Sequence, residues 1–201
     1  MPAASQPLGR RERNKQAKLE RITAAASELF AQHGVDEVTT QQIADAADIG
    51  TGTLFLYAKT KGELLLLVQN THYAAALERG RAAAEGAPNA LDGVMALVAP
   101  IVECNRVQVD NGRTYLREMV FGDPGEPHHA EALSIVAQTE EAVAGVLTAD
   151  RAQLTAAEAS TLARVVSAIL FLDLATSVNA GSTIPDLLAS IRTQVAAILP
   201  R

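Results

Sequence analysis

Residues 38–57 constrain this chain more than any other stretch. They encode two helices too short to stand alone, joined by a turn that keeps them in contact. Thr39-Thr40-Gln41-Gln42 has the spacing of a capping box, in which Thr39 accepts from the Gln42 amide and the Gln42 side chain reaches back. Ile43, Ala44 and Ala47 form the inward face of the first short helix, and the two alanines leave room for a close crossing. Ala47-Asp48-Ile49-Gly50 is the turn, with Asp48 suited to a left-handed conformation. The second short helix is expected over residues 51–57, anchored by Ile49 and held in the core by Leu54. A longer helix precedes them over residues 15–33, where Leu19, Ile22, Ala26, Leu29 and Phe30 recur at helical spacing, and Gly34 ends it. Two short helices behind a longer one make a helix-turn-helix.

The remainder also reads as helix. Of 201 residues 38 are alanine, aromatics are 3% and tryptophan is absent. Alanine favours helices and disfavours strands. The fold class is therefore all-α, with about nine helices and no strand. Beyond the motif, helices are expected over residues 61–85, 90–109, 113–121, 129–147, 155–179 and 184–199. In the first of these Leu64, Leu65, Val68, His72, Ala75 and Ala76 trace the inner side. The last carries apolar residues at 184, 187, 188, 191, 195, 198 and 199 along one face.

Charge is unevenly spread. The chain has 17 basic and 23 acidic residues, a net of −6. All four lysines (Lys15, Lys18, Lys59 and Lys61) lie before residue 70, and six basic residues between Arg10 and Arg21 face only Glu12 and Glu20. A local +4 in an acidic chain suits a polyanion or a solvated helix face. No run of about 18 uncharged apolar residues suggests a membrane span, and the basic N-terminus lacks the apolar stretch of a secretion signal. The single cysteine, Cys104, forms no internal disulfide, and the expected location is the cytoplasm.

The motif and its surroundings resemble the DNA-binding domain of the TetR family of regulators. The resemblance rests on residues 38–57, on Lys59, Lys61, Glu63 and Leu64, and on Ile22, Ala25, Ala26, Leu29, Phe30 and Gly34 of the first helix. Asp48, Gly50, Phe55 and Ala58 depart from the usual pattern, in which Gly, Ser, Tyr and Phe are common. The resemblance implies a homodimer on palindromic double-stranded DNA, with each third helix in a major groove. It implies a dimer interface built by the last two long helices and a small-molecule effector held among the middle ones. The expected organisation is a flexible basic arm over 1–14, a helix-turn-helix domain over 15–60, and a ligand-binding and dimerisation domain over 61–201. A sequence-specific repressor released by its effector is the leading expectation. The alternatives are an architectural DNA-binding protein whose second domain only dimerises and, less favoured, a small helical enzyme.

Candidate DNA contacts follow. Lys61 and the Tyr57 phenol suit phosphate, and Thr40 can bond phosphate at a helix N-terminus. Thr51, Thr53, Phe55 and Leu56 can offer hydroxyl or apolar contacts, and Gly52 admits close backbone approach. Gln41 can reach an adenine edge or lie exposed. Met95, Val98, Val102, Tyr115, Met119 and Phe171 are candidates for an apolar effector pocket, each equally readable as core. Asn105 and Asp173 are polar residues in apolar helices and belong either to the pocket or to the dimer interface. Arg113 and Arg117 can bind an acidic ligand or pair with Glu118 and Glu103. No catalytic or metal site and no cofactor is expected: Cys104 has no nearby histidine, and consecutive His128 and His129 point apart on a helix. Gly50-Thr51-Gly52-Thr53 lacks the lysine of a phosphate loop.

Overall fold

A computed structural model describes residues 9–150 and 154–199. It contains α1 (Arg10–His33), α2 (Thr40–Ala46), α3 (Thr51–Leu54), α4 (Lys61–Ala84), α5 (Ala90–Arg106), α6 (Val109–Phe121), α7 (Pro127–Asp150), α8 (Ala156–Ala175) and α9 (Ile184–Ile198), with a single 3-10 turn at Ser177–Asn179. No strand occurs among the described residues.

The local chemistry of the motif forms as its residues dictate. Thr39 accepts from the Gln42 amide at 3.2 Å and its own amide donates to Gln42 Oε1 at 2.8 Å, completing the capping box. Asp48 adopts φ 52° in the turn. Gly34 ends α1 with φ 77°, and its amide donates to the Phe30 carbonyl. Ile22, Ala26, Phe30, Ile43, Ala44, Leu54 and Leu64 are buried together, closing α1 to α4 around one core. Burying one such large side chain is worth about 1.5–3 kcal/mol, which helices of this length need.

Several boundaries differ from the sequence expectation. The helix expected from residue 15 begins at Arg10, so residues 10–14 of the expected arm are helical; Arg and Glu are good helix formers and the turn is fully exposed. The rest of the arm, residues 1–8, lies outside the described residues. The α-helical part of the third helix ends at Leu54, and hydrogen-bonded turns carry the chain on to Tyr57. Helix α6 begins at Val109 because the Gln108 side chain accepts from the Asn111 amide at 2.7 Å, acting as a cap. Helix α8 stops at Ala175, four residues early, where Thr176 turns its hydroxyl back onto the Leu172 carbonyl. On α4 Leu64, Leu65, Val68 and Ala76 are buried as expected, but His72 and Ala75 are exposed, and Tyr73 and Leu77 are buried instead.

Among the described residues, helices α4 and α5 make the most extensive contact, and α7 and α8 the next. The α4–α5 crossing depends on Gly80, where an added Cβ would lie 2.2 Å from the Leu97 carbonyl oxygen. Leu187, Ile191 and Val195 seat α9 on this bundle. An Arg192–Asp92 ion pair at 2.6 Å ties α9 to the start of α5.

Candidate nucleic-acid interface and effector cavity

Residues 51–57 present an uncovered face. Gly52, Phe55 and Leu56 are exposed, with Leu56 at 83%, and no atom lies within 4 Å of where a Gly52 Cβ would stand. Thr51 and Thr53 are half-buried at its edges. The Thr51 hydroxyl donates to Gln41 Oε1 at 2.7 Å, and Gln41 Nε2 donates to Asp45 Oδ1 at 2.7 Å. Gln41, a candidate base reader, therefore fastens α2 to α3 and is already bonded on both sides of its amide. Tyr57 is half-buried and its hydroxyl donates to the Lys15 carbonyl at 3.4 Å, bracing α3 against α1. Lys61 Nζ donates to the Asp36 carbonyl at 3.1 Å. Thr40 is half-buried in the first turn of α2. Lys15 and Lys18 are exposed on α1, and Arg21 pairs with Asp48 at 3.4 Å.

Two polar joints fix this domain to the rest. Asn111 of α6 accepts from the Val35 amide at 2.7 Å and donates to the Phe30 carbonyl at 2.8 Å, so one side chain holds the end of α1. At the start of α7, His128 Nε2 lies 3.0 Å from the Tyr57 carbonyl and Glu126 pairs with Lys59. The Glu126 carboxylate, through hydrogen bond and charge, raises the Lys59 pKa above its ordinary value.

A half-open cavity of about 310 Å³ lies between α4, α5, α6, α7 and α8. This is within the range of small-molecule sites. Of the sequence candidates, Tyr115, Met119 and Phe171 line it, with Tyr73, Leu170 and Leu174. The wall is almost wholly apolar, and three of its four hydroxyls are already bonded: Thr139 donates to the Ile135 carbonyl, Tyr115 donates to Asn70, and Tyr73 accepts from Asn105. Met95, Val98 and Val102 do not line it: they are buried in the packed core of α5. Asn105 is not in the wall either, but its Nδ2 donates to the Tyr73 hydroxyl at 2.8 Å. Asp173 accepts from Ser190 and Gln194, joining α8 to α9. Arg117 pairs with Glu118 at 3.5 Å, and Arg113 lies 3.9 Å from Asp110.

The cavity wall is wired to the first domain. Tyr73 and Tyr115 stack with ring centroids 4.2 Å apart. The Tyr115 hydroxyl donates to Asn70 Oδ1 at 3.0 Å, and Asn70 Nδ2 donates to the His128 carbonyl at 2.9 Å and to Glu131. Burial pushes the pKa values of both phenols up, so they are neutral donors and acceptors. Burial likewise pushes the Cys104 thiol up to about 11, which leaves it unreactive as a thiolate. Among the described residues no group of three or more His, Cys, Asp or Glu could hold a metal ion, and no helix is long and apolar enough to cross a membrane.

Residues 22–68 match the family model described as bacterial regulatory proteins, tetR family. The match spans the helix-turn-helix, from within α1 to within α4. The fold of the whole chain is also that of TetR-family structures. A TetR transcriptional regulator from Rhodococcus sp. RHA1 superposes with a TM-score of 0.68 at 18% identity, covering 92% of this chain and 97% of that one. The FadR repressor of Thermus thermophilus, solved with lauroyl-CoA, gives 0.71 at 23% identity, covering 91% and 96%. FadR from Bacillus subtilis, solved with stearoyl-CoA, gives 0.64 at 16% identity, covering 90% and 99%. No curated protein matches the chain.

Asn70, His128 and Arg106 carry polar contacts that the sequence did not single out. The signal that singled out Asn105, a polar residue inside an apolar helix, also marks Asn70, two residues after the apolar run of Leu64 to Val68, and Arg106, beside Asn105 itself. His128 offered no such signal, because its partner is a backbone carbonyl 71 residues away.

Proposed function

We propose that this chain is a sequence-specific transcriptional repressor that binds palindromic DNA as a homodimer and is released by a small apolar effector. The observation that carries the reading is the hydrogen-bonded path from the cavity wall to the recognition helix: Tyr115 to Asn70, Asn70 to the His128 carbonyl, and the His128 ring to the Tyr57 carbonyl. Gly52, Thr53, Phe55 and Leu56 enter the major groove, where Leu56 and Phe55 suit thymine methyls. Lys61, Thr40 and the basic face of α1 hold phosphates. The last helices dimerise, a reading supported by the exposed apolar Val165 and Leu172 on α8. Dimerisation sets the two recognition helices about 34–36 Å apart, one turn of duplex.

In this reading an effector in the cavity displaces Tyr115 or its stacking partner, Tyr73, both of which line it. The movement passes through Asn70 to the start of α7 and from there to the end of α3. The two recognition helices then no longer match the duplex. The lauroyl-CoA and stearoyl-CoA held by structures of the same fold favour a long apolar group as the occupant. The cavity and its connection to α3 favour this reading over an architectural protein with a purely dimerising second domain. The DNA-binding domain favours it over an enzyme. Selection of fragments from random duplex DNA with the full chain tests it. An enriched palindrome is expected, and binding without any enriched sequence contradicts it.

A further inference from the structure

Arg106, the last residue of α5, is only 8% exposed. Its Nη2 donates to the Asp173 carbonyl over a long 3.5 Å, and its Nε and Nη1 are buried without a hydrogen-bond partner. No carboxylate pairs with it among the described residues. The nearby Asp173 carboxylate is turned to α9, accepting from Ser190 at 3.2 Å and Gln194 at 2.8 Å. The preceding residue, Asn105, also has an orphaned buried atom, Oδ1. Three unpartnered polar atoms on two adjacent residues therefore lie behind the cavity wall: Asn105 bonds Tyr73 of the wall, and Arg106 bonds the carbonyl of Asp173, which precedes Leu174 of the wall.

A buried guanidinium without a counter-ion is a costly arrangement for a fold to keep. Here a second cation makes it costlier. Arg113 donates from Nε to the Ala175 carbonyl at 3.2 Å, at the same end of α8. Burial first, and then the charge of Arg113, lower the Arg106 pKa, with Tyr73 opposing. The carbonyls at the end of α8 account for one N–H of each arginine; Asp110, 3.9 Å from Arg113, faces that cation, and Arg106 is left without a counter-ion.

We propose that Arg106, supported by Arg113, receives the anionic head of the effector, which is therefore an amphiphile: a free carboxylate at Arg106 and an apolar tail in the cavity. This rests on reading the cavity as the effector site. A carboxylate supplies acceptor oxygens for the Arg106 N–H groups that lack them, and its charge offsets that of Arg106. A neutral alcohol offers the same tail without the charge. A coenzyme A thioester has no charge at the end of its acyl chain.

Calorimetric titration of the full chain with decanoate, 1-decanol and decanoyl-CoA separates these cases. Decanoate is expected to bind about tenfold to a hundredfold more tightly than 1-decanol. Arg106→Met should abolish that preference while still binding 1-decanol, and Arg106→Lys should keep part of it. Circular dichroism melts establish that both variants are folded, and the wild-type series stands even if Arg106→Met does not fold. Equal binding of decanoate and 1-decanol overturns the anion site and leaves the apolar effector site standing. Tighter binding of decanoyl-CoA than of decanoate overturns the free-carboxylate head. An unchanged preference in Arg106→Met overturns the role of Arg106. Absence of binding by all three probes overturns both the head-group site and the effector reading.

Discussion

His128 and Tyr57 join α7 to the turns after α3: the imidazole Nε2 of His128 lies 3.0 Å from the Tyr57 carbonyl oxygen. Asn70 holds the backbone of the same histidine at 2.9 Å and touches the cavity wall through Tyr115. His128→Ala should uncouple the domains. DNA affinity without ligand should change little, because no group facing DNA is altered. The ligand-induced loss of affinity should shrink by about 0.5–2 kcal/mol. Binding isotherms with and without a cavity ligand, run on both proteins, check this; an undiminished ligand effect counts against the path.

Tyr115→Phe tests the other end of the path. It keeps the ring stacked on Tyr73 but removes the donor to Asn70 Oδ1. The loss leaves a buried amide oxygen unpaired, so stability should fall by about 1–3 kcal/mol in chemical denaturation. The same variant should respond more weakly to ligand than wild type.

Lys61→Ala should weaken binding to all DNA sequences alike and reduce the slope of log affinity against log salt by about one. Only the bond to the Asp36 carbonyl on an exposed surface is lost, so the melting temperature should hardly move. Leu56→Ala should instead change which sequences are selected. A lysine variant with unaltered salt slope would remove Lys61 from the phosphate contacts.

Core and crossing substitutions give the stability frame. Leu54→Ala empties the centre of the first domain and should cost about 2–5 kcal/mol. Gly80→Ala forces α4 away from the Leu97 carbonyl and should cost about 1–3 kcal/mol. Both are read from urea unfolding midpoints.

The Arg192–Asp92 pair predicts an acid-side effect. The Arg192 guanidinium, and after it the Asn89 amide, hold the Asp92 carboxyl below its ordinary value. A depressed folded-state pKa contributes stability that is complete above the unfolded value of about 3.9 and is lost as pH falls through the folded one. The difference in Tm between wild type and Arg192→Ala should therefore be constant near neutral pH and narrow below about pH 4. A difference independent of pH would contradict the assignment.

The helix-turn-helix was legible in sequence because its determinants are local. The Thr39–Gln42 box, the left-handed Asp48 and the Gly34 stop each act within a few residues. The cavity was only half legible. Tyr115, Met119 and Phe171 line it, but Met95, Val98 and Val102 are just as apolar and are packed solid. Apolar character specifies burial, not whether the buried side chain meets another side chain or a void. The placement of Asp173 against Ser190 and Gln194, and of Asn111 against the end of α1, depends on contacts 17 to 81 residues apart in the chain. No local pattern encodes those.

The central claim is that the state of the cavity sets affinity for DNA. Fluorescence anisotropy on the selected palindrome, titrated with decanoate and with 1-decanol at concentrations where calorimetry shows binding, tests it most directly. The account predicts a loss of DNA affinity of about 1–3 kcal/mol on occupancy, and an equal weakening of probe binding when DNA is present. DNA affinity that stays the same while the cavity is filled would contradict it.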